Sequence, residues 1–539
     1  MLNHQFASVF NRNEDMSTMK DKGPSPFPDM DDIQISPAGV YKLLSSLQVH
    51  KATGPDKLPA QLLKTLSLEI TPVLTMLFQA SLNQGDVPED WKKADVVPIF
   101  KKGERCQAVN YRPVSLTSII CKTLEHIVCS SILEHLDDFN ILSDAQHGFR
   151  KRRSCTSQLL LTIQDLSSGI DSRDQIDVIL LDLSKAFDKV PHGRLLHKIH
   201  YYGIRGSTHN WVEEFLARRS QRVLLDGSTS HTSPVLSGVP QGSVVGPLLF
   251  LLFINDLPDC ISAKSTVKLF ADDCILYRKV SSADDAECLQ KDLDALQEWE
   301  ADWLMQFHPQ KCQVMHVSSK RQTSKASFPY FIHGEQLHVT ETAKYLGVHI
   351  QSNLKWNHHV NVTTKKANSV RCFLQRNMGA CPQKTKELLC KTLVRPVIEY
   401  AAIVWDPSTQ ENIRKVEMVQ RRCARFVLGD YRRRSSVSAM LNQLKWVSLQ
   451  ERRAQQKVGM VYSILHGLVD LPVTYFIPVV GPSTRGNPQK FHVPFARTLL
   501  FQTTFYPDTI RLWNSLPSAV VDCTSLELFK QKVQHIKLR

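Results

Sequence analysis

The most informative hydrophobic pattern lies in two short apolar segments that both carry carboxylates. In residues 268–277, apolar runs flank adjacent Asp272 and Asp273, which predicts a β-hairpin with both carboxylates at its tip. Residues 176–183 are almost continuously apolar and contain Asp182 near their end, which is typical of a central strand covered on both faces. An Asp-Asp turn alone is more often just a solvated turn. If the two elements are neighbours, however, three carboxylates meet at one end of a sheet.

Such a carboxylate cluster has a chemical consequence. Like charges held close together repel one another, and a cation of high charge makes the cluster tolerable. Hard cations take oxygen ligands, and two Mg²⁺ ions roughly 4 Å apart are the usual occupants of such a cluster. We therefore expect Asp182, Asp272 and Asp273 to bind two Mg²⁺ ions.

A glycine-rich segment separates the two acidic elements. Residues 237–243 place glycines on both sides of Pro240 and Gln241, and an apolar stretch follows to Ile254. Glycines such as Gly242 allow a backbone to approach a ligand closely, so we expect a binding loop followed by an apolar helix.

Basic segments lie on both sides of this central region. Residues 91–116 contain two extended segments around a basic loop, which predicts a second hairpin. Arg150, Lys151, Arg152 and Arg153 form a basic loop ahead of a helix predicted for residues 156–166. Four consecutive cations suit a nucleic-acid backbone, but a solvated face is an equally good interpretation.

The remainder of the chain is predicted to be mostly helical. Residues 283–304 repeat apolar positions at helical spacing, with Leu289, Leu293 and Leu296 on one face. Residues 356–470 have a helical pattern with a basic middle, in which Gly429 is a predicted helix end. Its cations include Arg421, Arg422, Arg425, Arg432, Arg433 and Arg434.

Size and charge limit the classes of function. A chain of 539 residues is too long for one compact core, and its net charge of +14 indicates a polyanionic partner, although acidic membranes also attract basic proteins. The apolar residues 244–254 are too few to span a bilayer. The 13 cysteines are scattered singly, which indicates a reducing compartment and disfavours a zinc knuckle or a disulfide framework.

The order of the motifs resembles that of a known family. Asp182 with Phe187, then SGVPQGS at residues 237–243, then FADD at residues 270–273, resemble the palm motifs of reverse transcriptases. The surrounding LDLSKAFDKVPH and GPLLFLLFINDLP are similar to polymerases of non-LTR (LINE-type) retrotransposons of the jockey and chicken-repeat kind. This similarity extends from about Asn3 to the C-terminus.

The resemblance implies an α+β right-hand polymerase with a small antiparallel palm sheet, a helical thumb and a short C-terminal module. The implied divisions are a leader and linker (1–35), fingers (36–175), palm (176–350), thumb (351–470) and C-terminal module (471–539).

The resemblance also implies roles for individual residues. Lys101, Arg112, Gln241 and Gly242 would contact the nucleotide, and Phe187 would lie beneath its sugar and exclude a ribose 2′-hydroxyl. Lys311 would protonate the pyrophosphate leaving group, although His308 stands where relatives often carry Asn. Residues expected to bind nucleic acid are Tyr345, Leu346 and Gly347 on the primer, Arg150 to Arg153 on the template, and the thumb arginines on the duplex. Asp188 is expected to be structural.

The implied function is RNA-directed DNA synthesis from a primer 3′-hydroxyl, with an RNA template, a DNA primer or target, dNTPs and Mg²⁺. We expect an intracellular protein, in cytoplasm and nucleus, with no membrane contact. An endonuclease is expected from a missing upstream domain or another protein. The alternatives are a catalytically silent relic that only binds nucleic acid and an RNA-dependent RNA polymerase.

Overall fold

The computed structural model describes residues 1–11, 17, 19, 21–319, 328–479 and 489–539. The expected leader, palm and C-terminal module therefore each contain a stretch that lies outside the described residues. The helices are α1 (Leu2–Ala7), α2 (Pro37–Ser45), α3 (Ala60–Thr65), α4 (Ser67–Gln84), α5 (Ile119–Asp138), α6 (Cys155–Asp171), α7 (Ala186–Lys189), α8 (His192–Tyr201), α9 (Gly206–Leu216), α10 (Gly246–Ile254), α11 (Ala283–Trp303), α12 (Asn357–Asn377), α13 (Gln383–Leu389), α14 (Arg395–Glu399), α15 (Gln410–Leu428), α16 (Val437–Gln443), α17 (Leu449–Leu465), α18 (Leu499–Gln502), α19 (Phe505–Asn514), α20 (Ser518–Val521) and α21 (Leu526–Val533).

The strands are β1 (Lys93–Phe100), β2 (Tyr111–Leu116), β3 (Ile176–Asp182), β4 (Ser220–Leu225), β5 (Ser228–Thr229), β6 (Ser233–Pro234), β7 (Thr266–Phe270), β8 (Asp273–Lys279), β9 (Gln313–Val317), β10 (Phe331–Ile332), β11 (Glu335–Gln336), β12 (His338–Val339), β13 (Thr342–Tyr345) and β14 (Val348–Gln351). This mixture of helices and small sheets agrees with the expected α+β class.

The central sheet has the strand order β12-β9-β3-β8-β7. Strand β3 pairs antiparallel with both β8 and β9, and its register sets Asp182 opposite Asp273. The expectation of a purely antiparallel sheet is wrong at one edge, where β12 pairs parallel with β9. The parallel pairing arises because the chain crosses over through the β10–β11 hairpin before β12 instead of turning back directly from β9.

Both faces of the central sheet are buried, which accounts for the continuous apolar pattern of β3. One face packs on the predicted apolar helix α10 and on α11, whose Leu289, Leu293 and Leu296 are buried as their spacing predicts. The other face contributes Val178 to a second core that also contains residues of α12 to α21.

A second sheet carries the predicted basic hairpin. Strands β1 and β2 pair antiparallel, with Phe100 opposite Tyr111, and β1 also pairs in parallel with β4. The loop after Phe100 is closed by the backbone N–H of Lys101, which donates to Asn110 O at 2.8 Å. This hairpin therefore presents its basic loop at one end of the sheet.

The described part of the expected leader is packed against the body of the protein. Phe6 on α1 is 3% exposed and contacts Val96 and Val223. Further along, Phe27 packs on Tyr201 and Tyr202. These aromatic side chains attach the described residues of this segment to the folded body.

The C-terminal segment shares the second core. Buried Asp406 accepts hydrogen bonds from Arg453 and from Arg539, the last residue, and forms an ion pair with Lys457. Burial alone would raise the pKa of Asp406, but Lys457, Arg453 and Arg539 outweigh burial and hold this pKa below its ordinary value. The last residues therefore contribute to the stability of the helical region.

Within the described residues, no helix is long and apolar enough to cross a membrane. All 13 cysteines are free thiols.

Candidate active site

The three carboxylates lie together at one end of the central sheet. Asp182 ends β3, while Asp272 and Asp273 occupy the tip of the β7–β8 hairpin. The side-chain oxygen Oε1 of Gln146 accepts hydrogen bonds from the backbone nitrogen of Ala271 at 2.9 Å and from that of Gly148 at 2.7 Å. A Cβ on Gly148 would collide with the backbone nitrogen of Ala271. The segment before the basic loop therefore supports the hairpin tip, a role that the sequence did not reveal.

Crowding of these carboxylates changes their acidity. Partial burial, followed by the charges of Asp272 and Asp182, raises the pKa of Asp273 to about 6. Burial also raises the pKa of Asp272, against an opposing effect of Arg112. The raised pKa values mean that ionising Asp272 and Asp273 together is unfavourable without a compensating positive charge.

Lys311 supplies part of that charge. Its Nζ donates to Asp182 Oδ2 at 2.8 Å, and both side chains are about half exposed. The backbone N–H of His308 donates to the carbonyl of Asp182 at 2.8 Å, which fixes the segment that carries Lys311 beside β3. The sequence-based expectation associated Lys311 with the leaving group, whereas its partner in the structure is a carboxylate.

A cluster of cations faces the carboxylates from the β1–β2 hairpin. Burial, Arg112, Lys185 and Lys311 lower the pKa of Lys101, in that order of effect, while Asp272 raises it. Lys101 and Arg112 thus lie near Asp272, and their contact with a nucleotide stays a prediction. Lys185 was missed from the sequence, although it lies midway between Asp182 and Phe187. These cations together form a site suited to a polyphosphate.

The glycine-rich loop packs beside Phe187. The side-chain amide of Gln241 donates to Asp188 Oδ1 at 2.6 Å, and the carbonyl of Gln241 accepts from the backbone N–H of Ser115 at 2.7 Å. Gly238 has a φ of +87°, and a Cβ there would lie 2.6 Å from the carbonyl oxygen of Asp188. The loop is therefore fixed against the segment that follows Asp182.

Phe187 lies at the junction of this loop with α10. Its ring is half-buried and stacks on Phe250 with a centroid separation of 4.3 Å, while Phe149 meets it edge to face at 6.3 Å. The side chain of Asp188 is bonded to Gln241, in agreement with a structural role.

An open cleft of about 660 Å³ adjoins the carboxylates and is lined by Asp182, Asp273, Lys311, Lys344, His349 and His358, among others. The two histidines and Lys344 were not found from the sequence. Tyr345 also lines the cleft, but its side chain is buried and its hydroxyl accepts a hydrogen bond from Gln158.

The turn of the β13–β14 hairpin is fixed from outside. The hydroxyl of Tyr400 donates to the carbonyl of Leu346 at 2.8 Å, and Gly347 lies against the same ring. Leu346 and Gly347 are thus the part of the predicted primer segment that lies at the turn.

The basic loop has fewer cations available to bind nucleic acid than its sequence suggests. Arg153 is held by Asp144 and Asp470 at 2.7 Å each, and Arg150 donates to the carbonyls of Leu142 and Ser143. These two side chains therefore serve the loop's own structure. Lys151 and Arg152 are exposed, although Arg152 also reaches the carbonyl of Gly467 at 3.3 Å.

The arginines of the helical region also divide into two groups. Arg421, Arg422, Arg433 and Arg434 are exposed. Arg425 instead donates to the carbonyl of Arg432 at 3.0 Å, and Arg432 forms a two-bond pair with Asp430 at 3.0 and 2.9 Å. As predicted, α15 ends before Gly429, which adopts a left-handed conformation.

The expected metal ligands Asp182, Asp272 and Asp273 lie at the same end of the sheet, but their side chains are not arranged around one metal position. Among the described residues, no group of three His, Cys, Asp or Glu side chains is arranged to hold a metal ion. The salt bridge from Lys311 engages one side-chain oxygen of Asp182.

Comparison with known proteins supports the interpretation of this region. Residues 99–350 match the family model described as reverse transcriptase (RNA-dependent DNA polymerase). The chain is 27% identical over 407 residues to the probable RNA-directed DNA polymerase from transposon BS of Drosophila melanogaster, which covers 72% of this chain and 44% of that protein. It is 26% identical over 403 residues to the RNA-directed DNA polymerase from mobile element jockey of the same organism, covering 72% of this chain and 43% of that protein. The chain thus spans less than half the length of these relatives.

Proposed function

We propose that the chain is an RNA-directed DNA polymerase of a non-LTR retrotransposon, because residues 99–350 match the reverse transcriptase family model. It extends the 3′-hydroxyl of a DNA primer with dNTPs on an RNA template. The observation that carries the proposal is the meeting of three carboxylates with the cations of the β1–β2 hairpin at one end of the central sheet. Opposite charges so arranged suit a substrate polyphosphate with its bound cations.

The donor set fits a divalent cation. Burial and neighbouring carboxylates raise the pKa values of Asp272 and Asp273, and with Asp182 these groups offer hard oxygen ligands. We propose that Asp182, Asp272 and Asp273 would hold two Mg²⁺ ions, and that Lys311 leaves Asp182 before the reaction. Bound Mg²⁺ would supply neutralisation of the negative charge on the reacting phosphate.

The chain's own residues would orient the reactants. Lys101 and Arg112, with Lys185, bind the triphosphate, and Arg112 offers a planar pair of donors that Lys lacks. Phe187 lies beneath the sugar, where its ring excludes a ribose 2′-hydroxyl. The backbone at Gln241 and Gly242 forms the adjoining wall of the nucleotide site.

The reaction is an in-line phosphoryl transfer. The primer 3′-oxygen forms a bond to the α-phosphorus while the bond from that phosphorus to the pyrophosphate oxygen breaks. The hydroxyl proton passes to solvent, and Lys311, once released from Asp182, donates a proton to the departing pyrophosphate. Holding the two reacting oxygens in line accounts for much of the acceleration in reactions of this type.

We assign the right-hand subdivisions on this basis. The β1–β2 hairpin belongs to the fingers, the central sheet with α10 and α11 to the palm, and α12 to α17 to the thumb. Leu346 and Gly347 contact the primer strand, Lys151 and Arg152 contact the template, and the exposed thumb arginines contact the duplex. Target-site cleavage is assigned to another domain or protein.

Primer extension tests the proposal. The full chain is incubated with an RNA template, an annealed DNA primer, dNTPs and Mg²⁺, and compared with Asp272→Asn and with the matched control Asp188→Asn. The control replaces a neighbouring carboxylate that we expect to be structural, and its amide oxygen still accepts from Gln241. We expect extension by the wild type and by Asp188→Asn, but none by Asp272→Asn, with RNA binding preserved in all three.

Other results of the primer-extension assay would support different conclusions. Binding without extension by the wild type would indicate a silent relic. Preferential use of ribonucleotides would indicate an RNA polymerase. Extension by Asp272→Asn at the wild-type rate would refute the assignment of the hairpin tip.

A further inference from the structure

Residues 1–11 form an N-terminal strap that extends from the edge of the second sheet to the back of the candidate nucleotide site. Its first part is anchored by Phe6, which is buried against β1 and β4. Asn3 adds polar contacts, since its side-chain amide donates to His231 O at 2.7 Å and to Ser233 Oγ at 2.9 Å. This end of the strap lies at β4 and β6, where Gln221 also donates to Asn3 Oδ1 at 3.4 Å.

The other end of the strap is fixed by Asn11. Its backbone N–H donates to Ser237 Oγ at 2.8 Å, and its side-chain amide donates to Lys189 O at 2.6 Å and to Leu304 O at 3.3 Å. Lys189 ends α7 and Leu304 directly follows α11. Carbonyls at helix C-termini lack partners within the helix, so one side-chain amide completes the ends of two helices.

The three segments that meet at Asn11 carry different parts of the candidate site. Helix α7 contains Phe187 and Asp188. Ser237 begins the glycine-rich loop, whose Ser237 Oγ donates to Asp188 O at 2.9 Å and whose Val239 N–H donates to Phe187 O at 2.8 Å. The end of α11 leads into the segment that carries Lys311 beside β3. A displacement of Asn11 would therefore alter the contacts of all three segments.

The strap also limits the space behind Phe187. Phe6 and Phe10 line a cavity of about 30 Å³ together with Phe187 and Gln241. That volume holds about one water molecule and is far too small for a phenyl ring. The cavity therefore offers Phe187 little space on the side of the strap.

We infer that Asn11 is a positioning residue for nucleotide selection: the strap ties α7, the glycine-rich loop and the end of α11 together and holds Phe187 and Gln241 at a fixed place relative to the carboxylates. Asn11 itself touches neither nucleotide nor metal. The inference rests on the proposed function, in which Phe187 and Gln241 line the nucleotide site.

The test compares Asn11→Ala with Asn3→Ala in the full chain. Both variants lose a side-chain amide that donates two hydrogen bonds from the same strap, but only Asn11 contacts the segments of the site. Single-nucleotide incorporation is measured with a dNTP and with the matching ribonucleotide, alongside melting temperature and template–primer affinity.

For Asn11→Ala we expect the KM for dNTP to rise on the order of five- to tenfold, as the loss of one or two net hydrogen bonds would give. Discrimination against the ribonucleotide should fall by a similar factor, while kcat and template–primer affinity stay near wild type. Asn3→Ala should lower the melting temperature and leave KM and discrimination unchanged. Equal KM and discrimination in the two variants would overturn the inference and leave the strap a stabilising element only.

A second measurement does not depend on catalysis. The backbone amides of Gly238 and Val239 donate to Val190 O and Phe187 O, so their hydrogen exchange reports on the attachment of the loop. We expect faster exchange at both amides in Asn11→Ala than in wild type or Asn3→Ala, and unchanged exchange would refute the positioning role. If the wild type fails to extend primers, the proposed function fails, and this exchange comparison still decides whether Asn11 positions the loop.

Discussion

The exposed arginines that follow α15 allow a quantitative test of duplex binding. Arg433 and Arg434 are exposed and have no acidic partner among the described residues, whereas Arg432 is neutralised by its pair with Asp430. Each phosphate contact contributes about 0.9 to the slope of log K against log salt. Replacing both free arginines by Ala should therefore flatten the slope by about 1.8. When the salt is raised from 50 to 200 mM, the double variant should therefore lose about tenfold less affinity than the wild type.

The assay is a titration of an RNA–DNA hybrid at several salt concentrations, with the Arg433→Ala/Arg434→Ala double variant. Arg432→Ala is the internal comparison and should change the slope by much less, because Asp430 already offsets its charge. Asp430→Asn tests the same idea in the opposite direction, since freeing Arg432 should steepen the slope by up to about 0.9. Sequence preference should not change in any variant. An unchanged slope in the double variant would show that these arginines only solvate the surface.

Three further predictions concern the carboxylates, the sugar site and the second core. Asp182→Asn should abolish primer extension while RNA binding, measured by gel shift, stays within about twofold, because affinity depends on Lys and Arg contacts. Phe187→Ala should reduce discrimination against ribonucleotides in single-nucleotide incorporation by about ten- to a hundredfold, whereas Phe149→Ala, which removes only its edge-to-face neighbour, should not. Asp406→Asn should lower the free energy of unfolding in urea by about 3–5 kcal/mol, because it leaves buried Lys457 and its neighbours short of a counter-charge. The pKa of Asp406 is depressed on folding, so its contribution is present above about pH 4 and is lost as the pH falls through the folded pKa; the variant should lose that pH dependence.

Much of the catalytic region could be predicted because its signals are local. The continuous apolar pattern of β3 and the paired runs around Asp272 each specify an element within about ten residues. Strand β3 and the β7–β8 hairpin can bury their apolar residues most readily by pairing in one sheet, which brings their acidic ends together. The register between Asp182 and Asp273 confirms that the two carboxylates meet. The match of residues 99–350 to the reverse transcriptase family model agrees with the family indicated by the order of the motifs.

The charged residues were harder to interpret because the sequence hides their partners. Arg150 to Arg153 form one run in the sequence, yet Arg153 is paired with Asp470, 317 residues away. The edge strand β12 was missed because it contains only two residues and has no pattern of its own. Lys185 could have been found from its place between Asp182 and Phe187, whereas His349 and His358 join the cleft only through the packing of β14 and α12.

The contacts that position the site bear on the choice between an active enzyme and a silent relic. A copy that no longer functions keeps short motifs by chance for some time, because they make up few positions in a long chain. The supports are separate positions, among them Gln146 and Gly148 beneath the hairpin tip and Asn11 behind the glycine-rich loop. Loss of function would free these positions to vary as readily as the motifs themselves. Gln146 bonds Ala271 and Asn11 bonds Lys189, so the chain contains these supports together with the carboxylates. A chain that catalyses polymerisation requires both, and their presence together does not favour the relic.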